Sequence, residues 1–216
     1  MSHHVPATTP YPWPYDGDLA GSGTALVVLM PEGARPVAAE FIGTVSDLAW
    51  AVRRCGGTVV SATTTRPPRV RLPSGSPAEP STTSALGWIR PDHVVHAAGI
   101  DAFYGSDLDV ILRTAGIVRL LLAGCDLETS VHSTMRDAND RGYECLLVVD
   151  ACAAVDQGLV AAAVSMIEMS GGIFGAVGRS ADVIAALDRA PATTAPSSSL
   201  PSPNSPMSPP SEGEPT

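Results

Sequence analysis

Apolar positions along this chain follow two alternating patterns. Continuous apolar runs stand at TALVVLM (24–30), TVVSATT (58–64), HVVHA (93–97), VRLLLAG (118–124), ECLLVVD (144–150) and GIFGAV (172–177). Helical spacing fills the intervals: VAAEFIGTVSDLAWAVRRCGG, closed by glycine, then SDLDVILRTAGI, then a stretch from about Thr129 to Arg141. A long helix from residue 156 and a last one over 180–189 follow. Within SDLDVILRTAGI, Ser106 reads as the N-cap, Asp109 as its near capping-box partner and Gly116 as the stop. Strands that are apolar throughout and separated by helices predict a sheet covered on both faces. The expected fold class is therefore α/β, a three-layer α/β/α domain with a mostly parallel, Rossmann-like six-stranded sheet. Ligands of such sheets bind beyond the carboxyl ends of the strands. That places the segments after Met30, after Ala97 and after Gly124 around one candidate site.

Outside this alternation the pattern fails. Residues 65–92 are rich in Pro and Ser and read as a loop. Residues 1–22 are turn-rich, but YPWPYDGDL carries three aromatics and predicts an arm packed on a surface. Residues 190–216 are almost wholly Ala, Pro, Ser, Thr and acidic, a composition that predicts a disordered tail. The remaining 23–189 suit a single domain.

Composition narrows the function classes. A net charge of −9 and a pI near 4.8 argue against nucleic acid or an anionic membrane as partner. All 13 basic residues are arginine, which rules out lysine-based chemistry. The cysteines, Cys55, Cys125, Cys145 and Cys152, form no CxxC pair or zinc-finger spacing, so reduced thiols are expected and no metal or cofactor is implied. His3 and His4 are adjacent in a terminal segment and read as solvated. MSHHVPATTP lacks the apolar core of a signal peptide. No apolar run reaches the ~18 residues of a membrane span. A cytoplasmic protein is expected.

Three stretches carry a resemblance: IDAFYGSDLDVILRTAGI, LLAGCDLETSVHSTMRDANDRGYECLLVVDAC and MSGGIFGAVGRSADVIAAL. Together with YPWPYDGDL before TALVVLM, they resemble the isochorismatase-like cysteine hydrolase superfamily over about residues 11–188. Within it they are most similar to the amidases acting on biuret and ureidoacrylate. The resemblance implies a triad: an aspartate ending the first strand, a lysine six residues before the phenylalanine of the AF segment, and a cysteine opening the helix after the glycine turn. A thiolate there gains from the helix dipole, the carboxylate moves the proton, and backbone N–H groups hold the oxyanion.

All three positions are substituted. Met30 stands in the aspartate's place, Ala97 in the lysine's and Ser130 in the cysteine's. The nearest carboxylate to the first position is Glu32, two residues on. A serine needs a base within hydrogen-bond reach. His132 would lie about 200° around a regular helix from Ser130. An improvised Ser130–His96–Asp arrangement is conceivable, with Asp101 flanking the lost lysine; His96 also reads as a satisfied strand-end histidine. Asp126 and Glu128 line the turn, where they either oppose an oxyanion or serve as turn and helix N-terminal residues. Cys125 reads as an inert buried thiol rather than a replacement nucleophile, and Cys145 and Cys152 likewise.

The vestigial pocket is thus expected to comprise His96, Asp101, Phe103, Gly124, Cys125, Asp126, Glu128 and Ser130. The favoured reading is a catalytically silent homologue acting as a structural or regulatory subunit. Its partner would be another copy of itself, in a homo-oligomer, or an active paralogous hydrolase, in a hetero-oligomer. The alternatives are a divergent amidohydrolase with a rebuilt site, and a sensor holding a small-molecule ligand in the old pocket.

Overall fold

A computed structural model of the protein describes residues 3–17, 19–34, 36–65 and 87–189. Six strands form one sheet in the order β3-β2-β1-β4-β5-β6. They are β1 (Thr24–Pro31), β2 (Thr58–Thr64), β3 (His93–His96), β4 (Arg119–Cys125), β5 (Glu144–Ala153) and β6 (Ala176–Gly178). Every adjacent pair is parallel. The helices are α1 (Ala39–Arg54), α2 (Leu108–Thr114), α3 (His132–Asp140), α4 (Val160–Glu168) and α5 (Ser180–Arg189).

The continuous apolar runs mark the strands at the centre. β1 and β4 are buried at every residue. Leu26, Val28 and Met30 point to one face, against Val45, Leu48 and Val52 of α1 and Val183 and Leu187 of α5. Ala25, Val27 and Leu29 point to the other, against Leu108 and Leu112 of α2, Met135 of α3 and Ile167 of α4. This gives the expected three layers, each apolar stripe meeting one face of the sheet.

The N-terminal arm goes deeper than a surface packing. Val5 bridges Trp13, and Thr9 pairs antiparallel with Val177, through bonds of 3.0 Å and 2.7 Å. Trp13 is fully buried and, with Val5 and Leu19, belongs to the core on the α1 and α5 face. The arm thereby closes the free side of β6, where unpaired backbone would otherwise stand exposed.

Several element limits differ from expectation. The helix expected from residue 156 opens as a 3-10 turn over Gln157–Leu159, capped by the Asp156 carboxylate on the Gly158 N–H, and its α part is α4 alone. The strand expected over 172–177 is confined to β6, because Gly172 and Gly175 take φ of 100° and 101° and turn the chain first. The N-cap position of α2 falls on Asp107 rather than Ser106, although Ser106 Oγ, one residue earlier, accepts from the Leu108 N–H at 3.2 Å. Asp109, however, does not complete a capping box; it accepts from the Tyr143 hydroxyl at 2.8 Å and pairs with Arg113 and Arg141. Most of the expected loop and all of the expected tail lie outside the described residues.

Candidate functional site

Two threonines at the end of β2 adjoin the segments that carry Met30, Ala97 and Ser130. Met30 pairs in register with Thr63, and Thr63 with His96. The Ala97 N–H donates to the Thr63 carbonyl at 2.8 Å. Thr64 follows, opposite Pro31, and its Oγ1 lies 3.1 Å from the Ser130 Oγ. The ends of β1, β2 and β3 and the segment after β4 therefore meet at one place. Met30, Ala97 and Ser130 are 6%, 3% and 2% exposed.

The turn that delivers Ser130 is not a simple helix start. Gly124 has φ of 131°, and an added Cβ would lie 2.1 Å from the Leu29 carbonyl oxygen. Asp126 takes a left-handed conformation (φ 60°, ψ 58°), and residues Leu127–Val131 form a π-helical turn before α3 begins. The Asp126 carbonyl accepts from the Thr129 and Val131 N–H groups at 3.0 Å and 3.3 Å. The wide turn buries Leu127 and Val131 in the core and aims Ser130 at Thr64. Such π turns recur at functional sites.

The other expected site residues are dispersed. His96 is exposed on edge strand β3, while the hydroxyl that Ser130 meets belongs to Thr64, not to a base. Asp101 is half-buried; its Oδ1 accepts from the Phe103 N–H at 3.1 Å, and it faces Asp137 and Arg141. Phe103 is buried against Tyr143, ring centroids 5.9 Å apart, and belongs to the core. Glu128 accepts from the N–H groups of Val155 and Asp156 at 3.1 Å and 2.8 Å, fixing the loop before α4. Cys125 is buried, and desolvation followed by the Asp126 charge pushes its thiol up to about 12. Burial likewise pushes Cys145 and Cys152 up. These thiols are protonated at neutral pH and therefore poor nucleophiles.

Sequence reasoning missed Thr64 and Thr134. The latter's buried Oγ1 accepts from the Ala102 N–H at 3.0 Å and ties the segment after β3 to α3. A hydroxyl ending the apolar run TVVSATT, at the carboxyl edge of the sheet, was the available signal for Thr64.

A family model described as the Isochorismatase domain matches residues 30–182, most of the chain. This chain belongs to the isochorismatase family. It is 37% identical over 71 residues to the isochorismatase family protein YecD of Escherichia coli O157:H7, across 33% of this chain and 38% of that protein. It is 38% identical over 60 residues to YwoC of Bacillus subtilis (strain 168), across 28% and 32%. The matched segments thus span only about a third of either relative. Among solved structures, an isochorismatase family protein of Burkholderia thailandensis superposes with a TM-score of 0.64 at 28% identity, over 77% of this chain and 96% of that one. N-carbamoylsarcosine amidase of Thermoplasma acidophilum does so with a TM-score of 0.56 at 25% identity, over 73% and 96%.

In this isochorismatase-family chain the histidine two residues after Ser130 is engaged by an arginine of its own helix. His132 is buried, and its Nδ1 accepts from the Arg136 Nε at 3.2 Å, which leaves the proton on Nε2. Among the described residues Nε2 has at most a weak contact with the Ala163 backbone. Burial first, then the Arg136 charge, hold the His132 pKa below the ordinary value. The unfolded chain therefore takes up a proton below about pH 6.5 that the folded chain refuses, so stability falls as pH drops from there. Asp101 works oppositely. Burial pushes it up to about 6, so folding is favoured as pH falls from 6 toward the ordinary carboxylate range. Comparing His132→Gln with the parent isolates the histidine: the variant's melting temperature should gain on the parent's steadily from pH 7.5 to pH 5. A constant difference would show that His132 titrates alike in both states.

Proposed function

We propose that this isochorismatase-family protein is a non-hydrolytic member, of the branch resembling biuret and ureidoacrylate amidases, kept as a structural or regulatory subunit. One observation carries the reading: at the end of β2 the buried Ser130 hydroxyl meets the buried Thr64 hydroxyl, and the neighbouring strand ends carry apolar residues, Met30 facing α1 and α5, and Ala97. A serine hydroxyl whose partner is another neutral hydroxyl is not activated as a nucleophile, since that needs a base within hydrogen-bond reach. Glu128 supplies no base there, since both its oxygens are engaged by the loop before α4.

The subunit role is supported by α4. Leu159, Met166, Met169 and Ile173 are exposed on α4 and the turns flanking it, Met169 by 79%. The helix's one charge, Glu168, is turned to the arm, where it accepts from Thr9 Oγ1 at 2.7 Å. An uncharged apolar face is where two copies of a chain of net charge −9 approach with least repulsion. The occupant we assign to it is a second copy of this chain.

Purified protein offered biuret, ureidoacrylate and N-carbamoylsarcosine should give no turnover above that of its Ser130→Ala variant. Hydrolysis lost on that substitution would overturn the non-hydrolytic reading. Light scattering should give at least a dimer mass, reduced to the monomer by Met166→Glu with Met169→Glu. A monomeric parent, or an assembly formed only when an active paralogue is added, would overturn the self-assembly.

A further inference from the structure

The ends of α3 and α4 converge on a cleft at the opposite edge of the sheet from Ser130. It has a volume of about 380 Å³ and lies between the arm and the start of β5, a size suited to a small organic group. Tyr11 and Tyr15 wall it, their rings 5.8 Å apart and nearly perpendicular. Glu144, Asn139 and the glycines that follow the two helices complete it. A Cβ on Gly142 or on Gly171 would meet nothing within 4 Å, so backbone lies open on this floor.

Hydrogen-bond acceptors and negative ends predominate among the groups that line the cleft. Gly142 follows α3 and Gly171 follows α4, so each helix presents its carboxyl end, worth roughly half a negative charge. Asn139 donates from Nδ2 to the Met135 and Phe174 carbonyls, at 2.8 Å and 2.7 Å, which leaves Oδ1 as its remaining group. Glu144 accepts from the Tyr15 N–H and keeps its other oxygen. Arg119, the nearby arginine, is paired with Asp16. Burial, then the Asp16 charge, raise the Glu144 pKa, against the opposing pull of the Tyr15 N–H, Arg119 and His4. A cation arriving here meets acceptors and ring faces together.

The geometry points to a second binding site, in which this cleft takes a compact organic cation rich in N–H donors: a guanidinium or primary ammonium group, free or on an arginine or lysine side chain. Tyr11 and Tyr15 offer π faces to such a cation. Glu144 and Asn139 Oδ1 accept its N–H groups, and the helix ends add to the field. The site is separate from the strand-end hydroxyls and does not depend on whether they support turnover.

The test is a titration of the full-length ¹⁵N-labelled protein with methylguanidinium chloride, following the Gly142, Gly171 and Gly172 amides. Saturable shifts are expected with methylguanidinium and none with neutral N-methylacetamide at the same ionic strength. Tyr15→Ala, which truncates a side chain 81% exposed and leaves the core intact, should weaken binding about threefold. Glu144→Gln should weaken it more, and added salt should weaken it further. A blocked arginine peptide binding at least tenfold tighter than methylguanidinium assigns the cation to a protein partner; equal affinity assigns it to a free small molecule. Either result supports the site. Absence of saturable shifts, equal binding of the neutral compound, or binding indifferent to both substitutions would overturn it.

Discussion

Gly124→Ala should prevent the protein from reaching its folded state. The new Cβ would stand 2.1 Å from the Leu29 carbonyl oxygen and 2.6 Å from the Leu29 nitrogen, both backbone atoms of the central strand. Neither can move without opening the β1–β4 pairing, where Gly124 sits opposite Leu29. The φ of 131° adds strain for any side chain. Together these should cost more than about 4 kcal/mol, against a total stability of roughly 5–15 kcal/mol for a domain. Gly116→Ala is the comparison. Its φ is also positive, but nothing lies within 4 Å of the added atom, so a loss of about 1–2 kcal/mol is expected. Soluble yield and thermal melting by circular dichroism check both. If the two variants melted within a few degrees of each other, the close approach at Gly124 would not be limiting.

Trp13→Ala should be the most damaging substitution in the arm. Its ring is fully buried with Val5 and Leu19 in the core beside α1 and α5. Its Nε1 finds no hydrogen-bond partner among the described residues, so truncation chiefly removes packing. Loss of a buried Trp to Ala costs about 3–5 kcal/mol, which at this size lowers the melting temperature by about 6–20 °C. A shift under about 2 °C would mean that the arm packs outside the cooperative unit.

The sheet was legible because burial on both faces leaves a simple trace: strands such as TALVVLM and VRLLLAG are apolar at nearly every position, while the helices alternate. The short β6 was not, since the glycines around Ile173 and Phe174 turn a run whose apolar content alone reads as strand. Ser130 was placed by its distance from Gly124, a local relation. Its partner Thr64 lies 66 residues away in sequence, and only the parallel order of β2 beside β1 brings them together. Glu128 shows the same limit. Its proximity to the turn was readable, but the loop after β5 decides where its carboxylate points. The charges of Asp109 and Asp101 also resolve through residues of α3 and of the turn between α3 and β5, whose arrival no local pattern announces.

The Thr9–Val177 pairing has a consequence for how the molecule is made. The arm emerges from the ribosome before every other described element, yet the backbone it pairs with is among the last to appear. Through most of synthesis Val5, Trp13 and Leu19 have no complete surface to join, since α5 is made later still. A growing chain folds as its elements become available. Here the earliest residues must wait for the latest, so a ribosome-bound chain halted before residue 176 would hold an unseated tryptophan and a protease-sensitive amino end.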